Sequence, residues 1–74
     1  MNKTWNAFQL VISNGAYGGK DVRFMTPADG LIEGQLRRAN ASEEHPGHTL
    51  LLIDTNGDSD WYTIPNATLV EVMA

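Results

Sequence analysis

The sequence predicts an all-β fold with a short N-terminal helix: a five-stranded, strongly bent, SH3-like small barrel. Three observations carry this. First, the hydropathy period becomes two after residue 20, as in Val22 and Phe24 against Asp21, Arg23 and Met25. Second, turn signals recur at short spacing, at Pro27-Ala28-Asp29-Gly30, Asn56-Gly57 and Asn66-Ala67. Third, Gly34 interrupts an otherwise alternating strand, which marks a sharp bend or a close backbone approach. Five short bent strands between residues 20 and 73 favour a closed or nearly closed barrel over an open sheet.

The helix is expected over residues 4–13. At about 100° per residue, Asn6, Gln9 and Ser13 share one arc, and Trp5, Ala7, Phe8, Val11 and Ile12 lie opposite. Thr4 is the expected cap, and Gly15 the expected stop because it tolerates positive φ. A strand is the rival reading, since Gln9-Leu10-Val11-Ile12 alternates weakly. A glycine-rich loop follows from Asn14 to Gly19.

The first barrel strand covers 21–26 and the second 31–39. A polar loop, Asn40 to Gly47, leads to the third strand at 48–54. Leu50 to Ile53 are four consecutive apolar residues, so that strand should be central with both faces covered. Asn56-Gly57 makes a hairpin turn into a fourth strand at 60–65. Pro65 stops that strand because it has no N–H to donate. The fifth strand covers 68–73.

The chain has 74 residues and a mass of 8.1 kDa, one domain over 1–74. A chain this small buries little apolar surface, and with no cysteine it has no disulfide or thiolate–zinc staple. Its 42% hydrophobic and 19% charged content is that of a globular chain. Association between copies is the remaining way to bury more surface. The segments Trp61–Ile64 and Leu69–Val72 are apolar on both faces and fall near the barrel edges, which another chain would have to cover. Trp61, Tyr62, Ile64, Leu69, Val70 and Val72 are therefore the candidate subunit interface.

The net charge is −4, a poor footprint for duplex DNA. The charge is segregated. Residues 1–38 hold five bases against three acids, a sum of +2, whereas the remainder holds six acids and no Lys or Arg, a sum of −6. An assembly of such chains would carry one basic and one acidic face. No stretch approaches about 18 consecutive apolar residues, so no membrane span is expected. The start does not read as a signal peptide, and a cytoplasmic location is the expectation.

The order of a helix and five strands resembles the Sm-like (LSm/Hfq-like) superfamily, and more closely its bacterial RNA-chaperone branch, Hfq. The residues that carry the resemblance are Val22, Phe24, Gly30 and Leu31-Ile32-Glu33-Gly34-Gln35-Leu36, then Leu50-Leu51-Leu52-Ile53-Asp54, then Trp61-Tyr62-Thr63-Ile64-Pro65-Asn66-Ala67-Thr68-Leu69-Val70. The likeness covers residues 5–73. It implies a ring of five to seven copies, closed by pairing the fourth barrel strand of one copy with the fifth of the next. It also implies single-stranded RNA binding near the pore, in the loop after the second strand and the loop between the fourth and fifth. Asn40, Thr63 and Asn66 occupy those loops, and Arg37 and Arg38 end the second strand, where guanidinium forks suit phosphate. These five are the candidate RNA-binding residues. The bacterial branch has a basic residue and a histidine after the tyrosine, whereas this chain has Thr63 and Ile64.

Other constellations are weaker. Glu43-Glu44-His45-Pro46-Gly47-His48 holds metal-ligating residue types without a fixed helical spacing, and a solvated loop is the preferred reading. Asp54 to Asp60 has the opening of a calcium loop but Ser59 at the glycine position and Pro65 at the glutamate position. Gly15 to Lys20 is one residue short of a phosphate loop and precedes a strand instead of a helix. Both histidines share one loop, so no catalytic Ser/His/Asp arrangement forms. The sequence thus points to a non-enzymatic homo-oligomer with no cofactor and no metal. Single-stranded RNA is the candidate partner, and a purely structural or protein-interaction module is the alternative.

Overall fold

The computed structural model describes residues 2–13 and 15–73. Residues 1 and 74, the limits of the single-domain assignment, and residue 14, the first of the predicted glycine-rich loop, lie outside the described residues. The elements run β1 (Lys3–Asn6), α1 (Ala7–Ile12), β2 (Asp21–Thr26), β3 (Gly30–Ala41), β4 (His48–Thr55), β5 (Asp58–Pro65) and β6 (Leu69–Val72). The strands form one sheet in the order β1-β6-β2-β3-β4-β5, and every neighbouring pair is antiparallel.

The N-terminus corrects the prediction of a helix over 4–13. Lys3–Asn6 is a strand, and its four residues pair with Leu69–Val72. Trp5 lies opposite Val70 and packs against the core, which fixes the alternation that the helical reading missed. The helix starts only at Ala7, and its cap is Asn6, not Thr4. Asn6 Oδ1 accepts the Gln9 N–H at 2.9 Å, and Gln9 Oε1 accepts the Asn6 N–H at 2.9 Å. Ala7 and Leu10 are buried, whereas Phe8 and Ile12, expected on the apolar side, are exposed.

The core lies on one face of the sheet, beneath α1. It comprises Val22 and Phe24 from β2, Leu36 from β3, Leu51 and Ile53 from β4, Ile64 from β5, Val70 and Val72 from β6, and the two helix residues. The sheet curls around this core. Rings of Phe24 on β2 and Tyr62 on β5 meet edge to face at 5.8 Å between centroids. Three strand spacings separate β2 from β5, or about 14 Å if the sheet were flat. Among the described residues β1 and β5 do not pair with each other, so they remain the two edges of the ladder.

Gly34 and an adjacent bulge let β3 bend. A Cβ at Gly34 would stand 2.6 Å from Ile53 Cγ2 and 2.7 Å from the Asp54 carbonyl oxygen, so only a glycine admits β4 this closely. The β3–β4 register then shifts between Leu36 and Arg38, leaving Arg37 as the extra residue. At the β4–β5 hairpin, Asn56 (φ 52°) and Gly57 (φ 90°) both take positive φ, as the sequence signal required.

β4 corrects the expectation of a central strand covered on both faces: it is paired on both sides but stands next to the edge strand β5, and only one of its faces is covered. Thr49, Leu51 and Ile53 are buried, whereas Leu50 and Leu52 on the other face are half-buried. Thr49 is the single polar residue of the interior among the described residues, and its hydroxyl donates to Asn66 Oδ1 at 2.8 Å. Among the described residues no helix is long and apolar enough to cross a membrane.

Candidate interaction surfaces

The uncovered face of β3, β4 and β5 brings together residues that lie far apart in sequence. Register places Arg38, Leu52 and Trp61 in one row, and Asn40, Leu50 and Thr63 in the next. Trp61 is 50% exposed. Three of the five candidate RNA-binding residues, Arg38, Asn40 and Thr63, therefore share one face with an exposed indole. Spacing alone hid this, because the bulge decides which way Arg38 points.

The other two candidates are engaged elsewhere. Arg37 donates to Asp54 Oδ2 through Nε at 3.3 Å and through Nη2 at 2.8 Å. That contact, with the N–H of Gly57 bonding the other oxygen, holds the Asp54 carboxyl below its ordinary pKa against the opposing effect of desolvation. Asn66 spends its side-chain carbonyl on Thr49. Arg38 has no ion-pair partner among the described residues and is the free guanidinium of the pair.

A second outer surface lies across β1, β6, β2 and the start of β3. Met25 faces Leu31 across the β2–β3 ladder, and Leu69 joins them from β6. All three are at least half exposed. Arg23 sits beside them, level with Glu71 on one side and Glu33 on the other. Arg23 Nε bonds Glu71 Oε1 at 2.5 Å. The hydrogen bond from Arg23, helped by Asn2, keeps the Glu71 carboxyl below its usual range.

The six candidate interface residues divide. Trp61 and Leu69 present their side chains outward, and Tyr62 is half-buried against Phe24. Ile64, Val70 and Val72 fill the chain's own core, at 2%, 0% and 5% exposure. The backbone edges divide too. β6 pairs with β1 on one side and β2 on the other, so the edge at Leu69–Val72 is filled by the chain itself. Among the described residues β5 pairs only with β4, and its second edge is open along Asp58–Pro65. Among the described residues β1 likewise pairs only with β6. No signal in the sequence marked Lys3–Asn6 as an edge.

In the polar loop, the His45 and His48 rings lie 6.1 Å apart, edge to face. Among the described residues no group of three or more His, Cys, Asp or Glu is placed to hold a metal ion. No family model, curated protein or solved structure matches the chain.

Proposed function

We propose that this protein is a self-associating assembly module of the Sm-like, SH3-like small-barrel type, and that its working form is a cytoplasmic homo-oligomer. The observation that carries this reading is the open edge of β5, eight residues long, with Trp61 exposed along it. Unpaired backbone donors and acceptors beside an exposed aromatic form a template for another strand. The half-buried Leu50 and Leu52 extend the apolar surface next to that edge. The resemblance to the Sm-like superfamily supplies an expected copy number of five to seven. Because β6 is already paired on both sides, closure in this chain uses the β5 edge without the free β6 edge that the resemblance calls for. Light scattering of the purified protein tests the reading. Multiples of 8.1 kDa are expected at micromolar concentration, and a monomer at every concentration tried would overturn it.

A second reading, single-stranded RNA binding, is favoured by the grouping of Arg38, Asn40 and Thr63 around Trp61. A flat indole stacks on a base, a guanidinium attracts phosphate, and the two short polar groups suit base edges. Titration with U-rich and A-rich oligonucleotides at two salt concentrations tests it. Binding should weaken in Arg38→Ala and in Trp61→Ala, with a flatter salt dependence only in the arginine variant. Affinity unchanged in both variants would remove this face as the site.

A further inference from the structure

We infer that copies of this chain join head to tail, with β1 of one copy adding to the open edge of β5 of the next. This rests on the self-association reading and names the surface that completes it.

Three observations converge. The first is ladder parity. The sheet has six strands, and all neighbours are antiparallel, so its two edge strands, β1 and β5, run in opposite directions. A second copy in the same orientation therefore offers β1 antiparallel to β5, and the ladder continues unbroken. The contact uses two different surfaces, so it is heterologous: it gives a ring where the rotation between copies closes and an open filament where it does not.

The second is charge. Asp58 and Asp60 on β5 have no ion-pair partner among the described residues, nor does Lys3 on β1. A symmetric contact between two β5 edges would gather four acids and no base. One between two β1 edges would oppose two lysines. Only the head-to-tail contact brings opposite charges together.

The third is facing. Lys3 lies opposite Val72 and thus on the core side of the sheet. Asp60 lies opposite Ile53, also on the core side, and Asp58 is two residues away on the same side. A continued ladder that keeps the pleat in phase allows Lys3 to stand opposite Asp60 with Asp58 diagonal to it, the register that charge favours, and leaves Trp61 on the outer face.

The absence of cysteine makes the test direct. Lys3→Cys and Asp60→Cys are introduced together and oxidised. The double variant should give a ladder of covalent multimers that collapses on reduction, and peptide mass spectrometry should find position 3 joined to position 60 of another chain. Mixed single variants should give covalent dimers only. In parallel, Lys3→Glu should weaken association roughly fivefold, and Lys3→Glu with Asp60→Lys should restore it. Cross-linking of Asp60→Cys alone as efficient as that of the double variant would show a symmetric β5 contact and overturn the inference, while self-association stood. An oligomer that forms no 3–60 link and ignores both charge reversals would overturn it in the same way. A chain that stays monomeric would overturn both.

Discussion

Gly34 and Ile53 touch where no side chain beyond hydrogen fits between them: a Cβ on Gly34 would come within 2.6 Å of Ile53 Cγ2. Ile53 is 1% exposed and cannot swing out, and the neighbouring obstacle is the Asp54 carbonyl oxygen, which belongs to the β4 backbone. Gly34→Ala must therefore separate β3 from β4 or displace a core side chain. The expected loss is about 1–3 kcal/mol, read from urea denaturation. A smaller effect would show that β3 relaxes at the bulge beside it.

Asn6 links strand to helix in consecutive residues, so its side chain matters more than its exposure suggests. Asn6→Ala removes one half of the reciprocal cap with Gln9 and should cost about 1 kcal/mol in chemical denaturation. Asn6→Asp should retain most of that stability, because aspartate accepts the same N–H.

Acid should weaken the fold in part through two carboxylates. Asp54 and Glu71 both have folded pKa values below their ordinary values of 3.8 and 4.5, because Arg37 and Arg23 hydrogen-bond the charged forms. A depressed carboxylate pKa contributes stability above its unfolded value and loses it as pH falls through the folded value. The melting temperature should thus be steady near neutrality and decline below about pH 4.5. In Asp54→Asn with Glu71→Gln, the part of that decline due to these groups should vanish. A decline identical to that of the parent would assign acid lability to other groups. Both pairs face solvent, so added salt should shrink the difference.

Trp61 separates association from folding. It is half exposed on an edge strand, and the folded single chain does not depend on it for its core. Trp61→Ser should raise the dissociation constant of the assembly by at least about tenfold, as expected for an aromatic anchor, and leave the circular dichroism of the diluted chain unchanged. Loss of folded signal would instead make Trp61 a structural residue.

The five strands from β2 to β6 were legible because each carries its own local signal. Alternation in Val22 and Phe24, the Asn56-Gly57 turn and the apolar run ending at Ile53 act over a few residues. β1 was not legible, because its partner β6 lies at the far end of the sequence and Lys3–Asn6 has no pattern until Val70 and Val72 impose one. The candidate site divides for the same reason. Trp61 is exposed on an edge strand, but three apolar residues in a four-residue strand do not reveal which faces inward, and Val70 and Val72 proved to be core. The engagement of Arg37 by Asp54 depends on the bulge, and a bulge is a property of two strands together.

The pairing of Lys3–Asn6 with Leu69–Val72 also sets an order of events as the chain folds. The hairpins β2–β3, β3–β4 and β4–β5 each close over a short loop, whereas β1 must wait for almost the whole polypeptide before its partner exists. Contacts between distant segments pay the larger closure entropy and form late. Whenever β1 is undocked, β6 keeps only its β2 partner and its outer backbone is bare. The outer edge of β6 is then the same template for the first strand of a sister molecule as for the chain's own, which makes β1 the segment through which two copies could exchange strands.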